Sequence, residues 1–367
     1  MNGGCHDALR KWQRDSKAAT VRLMSDVVIL FGGASSERMV SAASAQNVAT
    51  HLPGASCWFW SKSGEIFSVD RTELAAHTQA FEREFTPAGK PAFGSLAAAL
   101  DSSEAKGRTF FLALHGGDGE NGVTQKLFEQ RGIAFTGSGS EASAHAFDKA
   151  QARKLAAAQG ANVAEARQLP LMDVAQAKAA LSSMLEKHPR WVLKPQADGS
   201  SHGLIHLRGK DQLDASAEAL AGFKLPYLAE VFVEGRELTV GVVDDEGGPA
   251  ALPVSEVRLI PGGAFDYAGK YLGKGTEEIT PAQLTPEEFT SAQALAVLTH
   301  RAMGCRGYSR TDMILRSTGG LVLLEINTLP GMTKASFIPQ QLAAAGRDVK
   351  DFLARQLELA RARARVK

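Results

Sequence analysis

The run YSRTDMILRSTGGLVLLEIN, residues 308–327, sets acidic and amide side chains where they can meet. Strands over 311–316 and 321–326, joined by the Gly-containing turn 317–320, form an antiparallel hairpin. With the turn centred on Thr318 and Gly319, Asp312 faces Glu325 and Arg310 faces Asn327, and the two-residue strand period puts all four on one face. Two carboxylates opposed across a ladder repel. Together with Asn327 they make a hard-oxygen cluster suited to Mg²⁺ shared with substrate phosphates, and such an ion would relieve the conflict. The alternative is a solvent-facing polar strand face. Because the intervening residues are strongly apolar, the other face is core, and the adjacent arginine suits charge stabilisation, so a metal site fits the pattern better.

Other loops carry chemistry less distinctly. In 194–203, KPQADGSSHG, small residues let backbone N–H groups close over phosphate oxygens while Lys194 supplies a point charge, although the same stretch alone reads as an ordinary hairpin turn. No Gly-Lys is followed by Ser or Thr, so there is no Walker A loop. Residues 117–122, GDGENG, match the dinucleotide pattern G-x-G-x-x-G. Asp118 and Glu120 would set two negative charges beside a pyrophosphate, and the next strand ends at Thr136 without a ribose-binding acid. With His115 and Gly116 just before it, the stretch reads as a substrate loop. Residues 32–38, GGASSER, follow the first strand, where open α/β sheets place ligands, and read equally as a plain strand-to-helix turn. The stretch 262–275 holds five glycines and suits a mobile lid or an exposed loop. Residues 327–336 run on from the metal face, as a substrate-binding backbone or a plain connection to a helix.

The elements that position these loops alternate. Strands at 27–31, 57–60 and 109–114 with helices at 41–50 and 91–100 argue βαβ units and a parallel sheet, continued by a helix at 124–130 and a short strand at 133–135. Ala-rich helices at 149–159, 174–186 and 213–223, interleaved with strands at 191–194 and 204–207, make a smaller α+β unit. Strands at 227–234, 238–243 and 250–257, together with the hairpin and helices at 286–303 and 349–363, read as an antiparallel sheet plus helices. The 41 basic and 40 acidic side chains leave a formal charge of +1 on 367 residues, with 44% hydrophobic and 22% charged, a soluble globular composition of two or three domains. No global basic field serves nucleic acid, and no apolar run approaches the ~18 residues of a membrane span. Cys5, Cys57 and Cys305 are too few and scattered for a disulfide framework or zinc ribbon, which makes a cytoplasmic home the default. Residues 1–25 lack the apolar core of a signal peptide and read as a disordered extension, with Met24 an alternative start.

Taken in order, these segments resemble the D-alanine–D-alanine ligase family of ATP-grasp enzymes. The likeness rests on Gly32-Gly33-x-Ser35-x-Glu37-Arg38-x-Val40-Ser41, Leu114-His115-Gly116, Gly119-Glu120-x-Gly122, Phe135-Thr136-Gly137-Ser138-Gly139, Asp148-Lys149, Lys194-Pro195, Gly199-Ser200-Ser201-x-Gly203, Asp266-Tyr267-x-x-Lys270-Tyr271, Arg310-x-Asp312 and Glu325-x-Asn327-Thr328-x-Pro330-Gly331-Met332-Thr333. It implies α/β with α+β architecture: a Rossmann-like substrate domain at 26–140, then a two-part ATP-grasp fold at 141–224 and 225–367 with a lid at 262–278. It further implies ATP-dependent joining of two D-alanine molecules through an acyl phosphate for peptidoglycan precursor synthesis.

By the same resemblance Asp312, Glu325 and Asn327 hold two Mg²⁺ ions, or Mn²⁺. Lys149, Lys194, Ser200, Ser201, Glu230, Phe232, Glu237 and Lys270 surround ATP. Glu37 takes the ammonium of the first substrate, with Val40, Ser41 and His115 near it, and Gly331, Ser336 and Phe337 serve the second. Glu37, Ser200 and Tyr271 form a latch from lid to N-terminal domain, Arg310 stabilises the tetrahedral oxyanion, and the protein is a homodimer. The chain departs from the family pattern at Ala268-Gly269 in the lid, at His202 where valine is usual, at Asn121 where aspartate is usual, and at Phe337 where leucine is common. Two other readings stand beside this one: a related ligase joining D-alanine to D-serine or a D-hydroxy acid, and a nucleotide-binding regulator or dinucleotide enzyme without this chemistry.

Overall fold

The computed structural model describes residues 26–199, 202–259 and 275–365. The extension 1–25 and most of the expected lid lie outside them, as do Ser200, Ser201, Lys270 and Tyr271. The first unit runs β1 (Val27–Gly32), α1 (Arg38–His51), β2 (Ser56–Trp60), β3 (Ile66–Val69), α2 (Arg71–Ala76), α3 (Leu96–Asp101), β4 (Thr109–Leu112), α4 (Val123–Gln130) and β5 (Ala134–Phe135). Its sheet has the order β3-β2-β1-β4-β5, parallel except for the edge strand β3. Strand β1, VVILFG, is buried throughout, without alternation, because both faces of the sheet are covered. The chain leaves β1 toward β2 on one side and returns on the other to β4. The crevice beyond the carboxyl ends of β1 and β4 is therefore the switch point where such sheets receive ligands.

The second unit contains α5 (Ser140–Phe147), α6 (Lys149–Ala158), β6 (Ala166–Leu169), α7 (Val174–Lys187), β7 (Trp191–Pro195), β8 (Ile205–Leu207), α8 (Leu213–Gly222) and β9 (Tyr227–Val231). Its sheet, β6-β9-β7-β8, is antiparallel. Along β7, Trp191 and Leu193 pack with Leu181 and Met184 of α7 and Leu220 of α8, while Val192 and Lys194 take the opposite face.

The third unit comprises β10 (Gly235–Asp245), β11 (Gly248–Ala251), β12 (Ser255–Leu259), β13 (Thr276–Ile279), α9 (Pro286–Met303), β14 (Tyr308–Arg316), β15 (Leu321–Asn327), α10 (Phe337–Ala344) and α11 (Val349–Ala364). The sheet order is β13-β12-β10-β14-β15, with β11 also on β10. Helix α9 begins with a capping box, Thr285 with Glu288, and Pro286 at its first position, and it ends at the left-handed Gly304. Its Ala292 and Ala296 cover Leu238, Val240 and Met313 on one sheet face, leaving the other for the site. The single strand expected at 250–257 is two, because Pro253 between them has no N–H for a ladder. Helix α11 returns to the first sheet, where Phe352, Leu353 and Leu357 join the core of Phe110 and Phe128. This packing ties the last element to the first domain.

Candidate active site

The hairpin of β14 and β15 pairs Arg310 with Asn327 and Asp312 with Glu325, the two pairs expected. The route to that pairing differs from expectation. Near the turn, Ile314 faces Val322 and Leu315 faces Leu321, one residue off the expected register, with Arg316 N–H bonded to Gly320 C=O. A bulge then absorbs Leu324 between the pairs Asp312–Glu325 and Met313–Leu323. Without it Asp312 would face Leu324, and Glu325 would turn into the core. The bulge aims both acids and the amide into one cleft.

That cleft lies between the three sheets, with ≈ 1040 Å³ of open space including the part continuous with solvent. Asp312 accepts Arg310 Nε–H at 2.9 Å and Nη2–H at 2.7 Å, and the Thr239 hydroxyl at 2.5 Å. Opposite, Lys149 lies 4.0 Å from Glu325 Oε2 and also donates to the Asp198 carbonyl, and burial holds its ammonium below the ordinary lysine value. Asn327 Oδ1 accepts the Leu329 N–H at 2.8 Å, which orients the amide. Among the described residues the wall carries seven carboxyl groups, Glu37, Glu120, Asp198, Glu237, Glu278, Asp312 and Glu325, against two cations, Lys149 and Arg310. Such a site suits bound cations. No described group of three His, Cys, Asp or Glu side chains converges as a metal cage, and the fitting donor set is Asp312 and Glu325 with the Asn327 amide, oxygen ligands appropriate to Mg²⁺ sharing its shell with phosphates.

The first sheet contributes the opposite wall. Glu37, at the start of α1, is buried, and a Cβ added to Gly116 or Gly199 would come 2.5 Å from its Oε2. The loops after β4 and β7 therefore close on this carboxyl only as glycines, and Gly116 also has φ +66°. Glu120 accepts the Gly116 N–H at 3.0 Å, and burial together with the neighbouring Glu37 pushes its carboxyl up to about 8. The GDGENG stretch is thus a short 3-10 turn, Gly117–Gly119, that carries an acid into the cleft wall.

His115 is buried, with Nδ1 2.9 Å from the Leu329 carbonyl and Nε2 2.9 Å from Ser44 Oγ. Burial pulls its pKa down to about 4, so the ring is neutral. A carbonyl only accepts, so Nδ1 carries the proton and Nε2 accepts from the Ser44 hydroxyl. Ser44 Oγ in turn accepts Met332 N–H at 3.2 Å, and Asn47 Nδ2 donates to Met332 C=O at 2.7 Å. Helix α1 thereby grips the 328–333 loop that follows β15.

The expected site residues divide. Glu37, His115, Lys149, Glu237, Arg310, Asp312, Glu325, Asn327, Gly331, Ser336 and Phe337 all line the one cleft. Lys194 is ion-paired to Glu230, which Arg153 also holds. Ser41 spends its hydroxyl on Gly32 N–H, 2.7 Å, and Ala113 C=O, 2.6 Å, pinning α1 to β1, and Val40 beside it is core. Phe232 stacks under the Arg190 guanidinium, 4.3 Å away, apart from the cleft. Sequence reasoning did not single out Ser44, Arg153, Asp198, Thr239 or Glu278 as site residues. Thr239 was reachable, two residues from Glu237 on the same strand face. Glu278 had no local signal.

The family model described as "D-ala D-ala ligase N-terminus" matches residues 26–138, and "D-ala D-ala ligase C-terminus" matches 155–358. A protein of Agrobacterium fabrum named D-alanine--D-alanine ligase is 35% identical over 340 residues, covering 90% of this chain and 96% of that protein. One of the same name from Methylobacterium radiotolerans is 38% identical over 328 residues, covering 87% and 93%. Of solved structures, the VanG D-Ala:D-Ser ligase from Enterococcus faecalis aligns with a TM-score of 0.75 at 27% identity, over 91% of this chain and 98% of that one. The D-alanine-D-alanine ligase from Coxiella burnetii aligns with a TM-score of 0.76 at 22% identity, over 92% and 94%, a likeness of fold.

Proposed function

The chain belongs to the D-alanine–D-alanine ligase family, and from that membership we propose that it joins two D-alanine molecules at the expense of ATP, releasing ADP and phosphate, in the making of peptidoglycan precursors. The observation that carries the reading is the bulged hairpin. It turns Asp312, Glu325 and Asn327 into the cleft that Glu37 and the Ser336 end of α10 also border. In this reading the carboxylate of the first D-alanine attacks the γ-phosphate and becomes an acyl phosphate. The neutral amine of the second attacks that carbonyl, and phosphate leaves as the amide forms.

Each residue has work in that sequence. Glu37, buried where two glycine loops close, takes the first substrate's ammonium. Lys149 and Glu237 face ATP across the cleft, and Lys194 with Glu230 sits on the second sheet behind it. Arg310, whose plane the two bonds to Asp312 fix, stabilises the oxyanion of the tetrahedral intermediate. The N-terminal turn of α10, with Ser336 and the Gly331 backbone, receives the carboxylate of the second amino acid. Asp312, Glu325 and Asn327 would hold two Mg²⁺ ions, which when bound neutralise phosphoryl charge. The roles of 26–140 as substrate domain and of 141–224 and 225–367 as the halves that grip ATP belong to the same reading, as do a cytoplasmic site of action and a homodimer. No helix among the described residues is long and apolar enough to cross a membrane.

Phe337 lines the second-substrate end, with the Arg310 guanidinium 6.0 Å from its ring centre, so a compact amino acid fits best there. The test is product analysis by mass spectrometry with ATP, Mg²⁺ and a panel of D-amino and D-hydroxy acids. D-Alanyl-D-alanine with stoichiometric ADP is expected. A mixed product with D-serine or an ester with D-lactate as the main species would transfer the assignment to a related ligase, and ATP binding without turnover would refute it.

A further inference from the structure

We propose that Glu278, held in place by Gln340, is a specificity-determining acceptor for the amino group of the second substrate. The inference rests on the ligase reading and adds to it a residue that selects an amine over a hydroxyl as the nucleophile. Glu278 lies on the edge strand β13 directly opposite Val257 of β12, and both side chains reach the same cleft wall as Ser336, Phe337 and Arg310.

Its pose is over-determined. Glu278 Oε2 accepts from Gln340 Nε2 at 2.7 Å, and the same amide donates to the Ala335 carbonyl at 2.7 Å. Gln340 Oε1 accepts from the Thr280 hydroxyl at 3.3 Å, and Thr280 Oγ1 lies 2.6 Å from Ser255 Oγ. Gln340 sits one turn into α10, the helix whose N-cap is Ser336. The carboxylate is therefore fixed relative to the helix end that would take the substrate carboxylate. Among the described residues Glu278 Oε1 accepts no hydrogen bond.

A helix N-terminus favours an anion, and a carboxylate beside it favours a cation or a donor. The two together match an amino acid that arrives as a zwitterion, whose ammonium releases one proton to solvent before the neutral amine, still donating to Glu278, attacks. Arg310, on the same wall, would by itself repel an arriving ammonium, and Glu278 offsets that charge. A hydroxy acid presents the same carboxylate but only a neutral O–H, and so gains less from Glu278.

The experiment uses the full chain with ATP, Mg²⁺, D-alanine and D-lactate near neutral pH, with Glu278→Gln and, as a variant that keeps the charge but loosens its pose, Gln340→Leu. For Glu278→Gln the KM of the second D-alanine should rise roughly tenfold, as for loss of one charge-assisted hydrogen bond, while the KM of the first D-alanine and of ATP stay within about twofold. The ratio of dipeptide to ester should fall by about the same factor, and Gln340→Leu should move both readouts in the same direction by less. All three KM values rising together would assign Glu278 a merely structural part in β13 and overturn the proposal, as would an unchanged product ratio in both variants. Wild-type protein that makes no dipeptide overturns the ligase reading and this inference with it. Wild-type dipeptide with an unmoved ratio in the variants overturns the inference alone.

Discussion

Replacing Ser44 by alanine should loosen the second-substrate end of the cleft from a distance, because one hydroxyl joins two buried groups there. Ser44 donates to His115 Nε2 and accepts from Met332 N–H, at 2.9 and 3.2 Å. Alanine leaves a ring nitrogen and a backbone N–H without partners in a water-free place. Each such orphan costs ~1 to 3 kcal/mol, and the better helix propensity of alanine within α1 returns about 0.5 kcal/mol. The net loss is about 1.5 to 5.5 kcal/mol, which in a chain of this size lowers the thermal midpoint by several degrees. Asn47 still holds Met332 C=O, so the 328–333 loop should shift rather than unfold. Because Gly331 and Ser336 follow from that loop, the KM for D-alanine should rise more than that for ATP. Thermal unfolding and steady-state kinetics with each substrate varied check this. An unfolding midpoint within about 1 °C of wild type, where the orphan cost predicts several degrees, together with unchanged KM values would refute the argument.

Asp312→Asn and Glu325→Gln should each cut turnover by about a hundredfold or more, since phosphoryl-transfer sites depend on charge neutralisation, while the fold stays intact. A normal rate at limiting Mg²⁺ would contradict this. Arg310→Lys keeps the charge but loses the planar fork on Asp312, so kcat should fall more than KM rises, and an effect confined to KM counts against an oxyanion role. The pH dependence of stability should follow Glu120. Its folded value, about 8, lies above the ordinary 4.5, so the native state holds a proton that the unfolded chain has released, and stability falls as pH rises across that window. Glu120→Gln stays neutral, should flatten that slope, and should be the more stable protein at pH above about 8. Identical pH profiles in urea unfolding would remove Glu120 as the cause.

Much of the architecture was legible because local rules and tertiary demands agreed. Helix α9 has the limits expected, 286–303, and the structure adds what sets them, the Thr285–Glu288 capping box with Pro286 and the left-handed Gly304. The opposition of Asp312 to Glu325 was expected from a turn centred on Thr318 and Gly319 together with the two-residue strand period, and the pairing holds although the turn does not. The path to it was hidden, since a three-residue turn and a bulge at Leu324 shift the register in compensating senses, and a bulge answers to packing on both faces of a sheet rather than to any residue type.

The short edge strand β13 was not expected, and helix α10 was foreseen only as the far end of a possible strand-to-helix connection, with no bounds. Four residues in β13 and eight in α10 are too few for a periodic signal, so Glu278 and Gln340 entered the site unannounced. His115 and Leu329 stand 214 positions apart, and Arg153 and Glu230 stand 77. Spacing marked a hard-oxygen cluster suited to a metal and a Gly/Ser loop suited to phosphate, and the strands that could carry them. Whether a carboxyl is a bound anion, a buried acid or one arm of an ion pair depends on desolvation and on charges brought from elsewhere in the chain. Glu325, Glu120 and Glu230 therefore read alike as letters and became different groups only when the three sheets closed on one cleft.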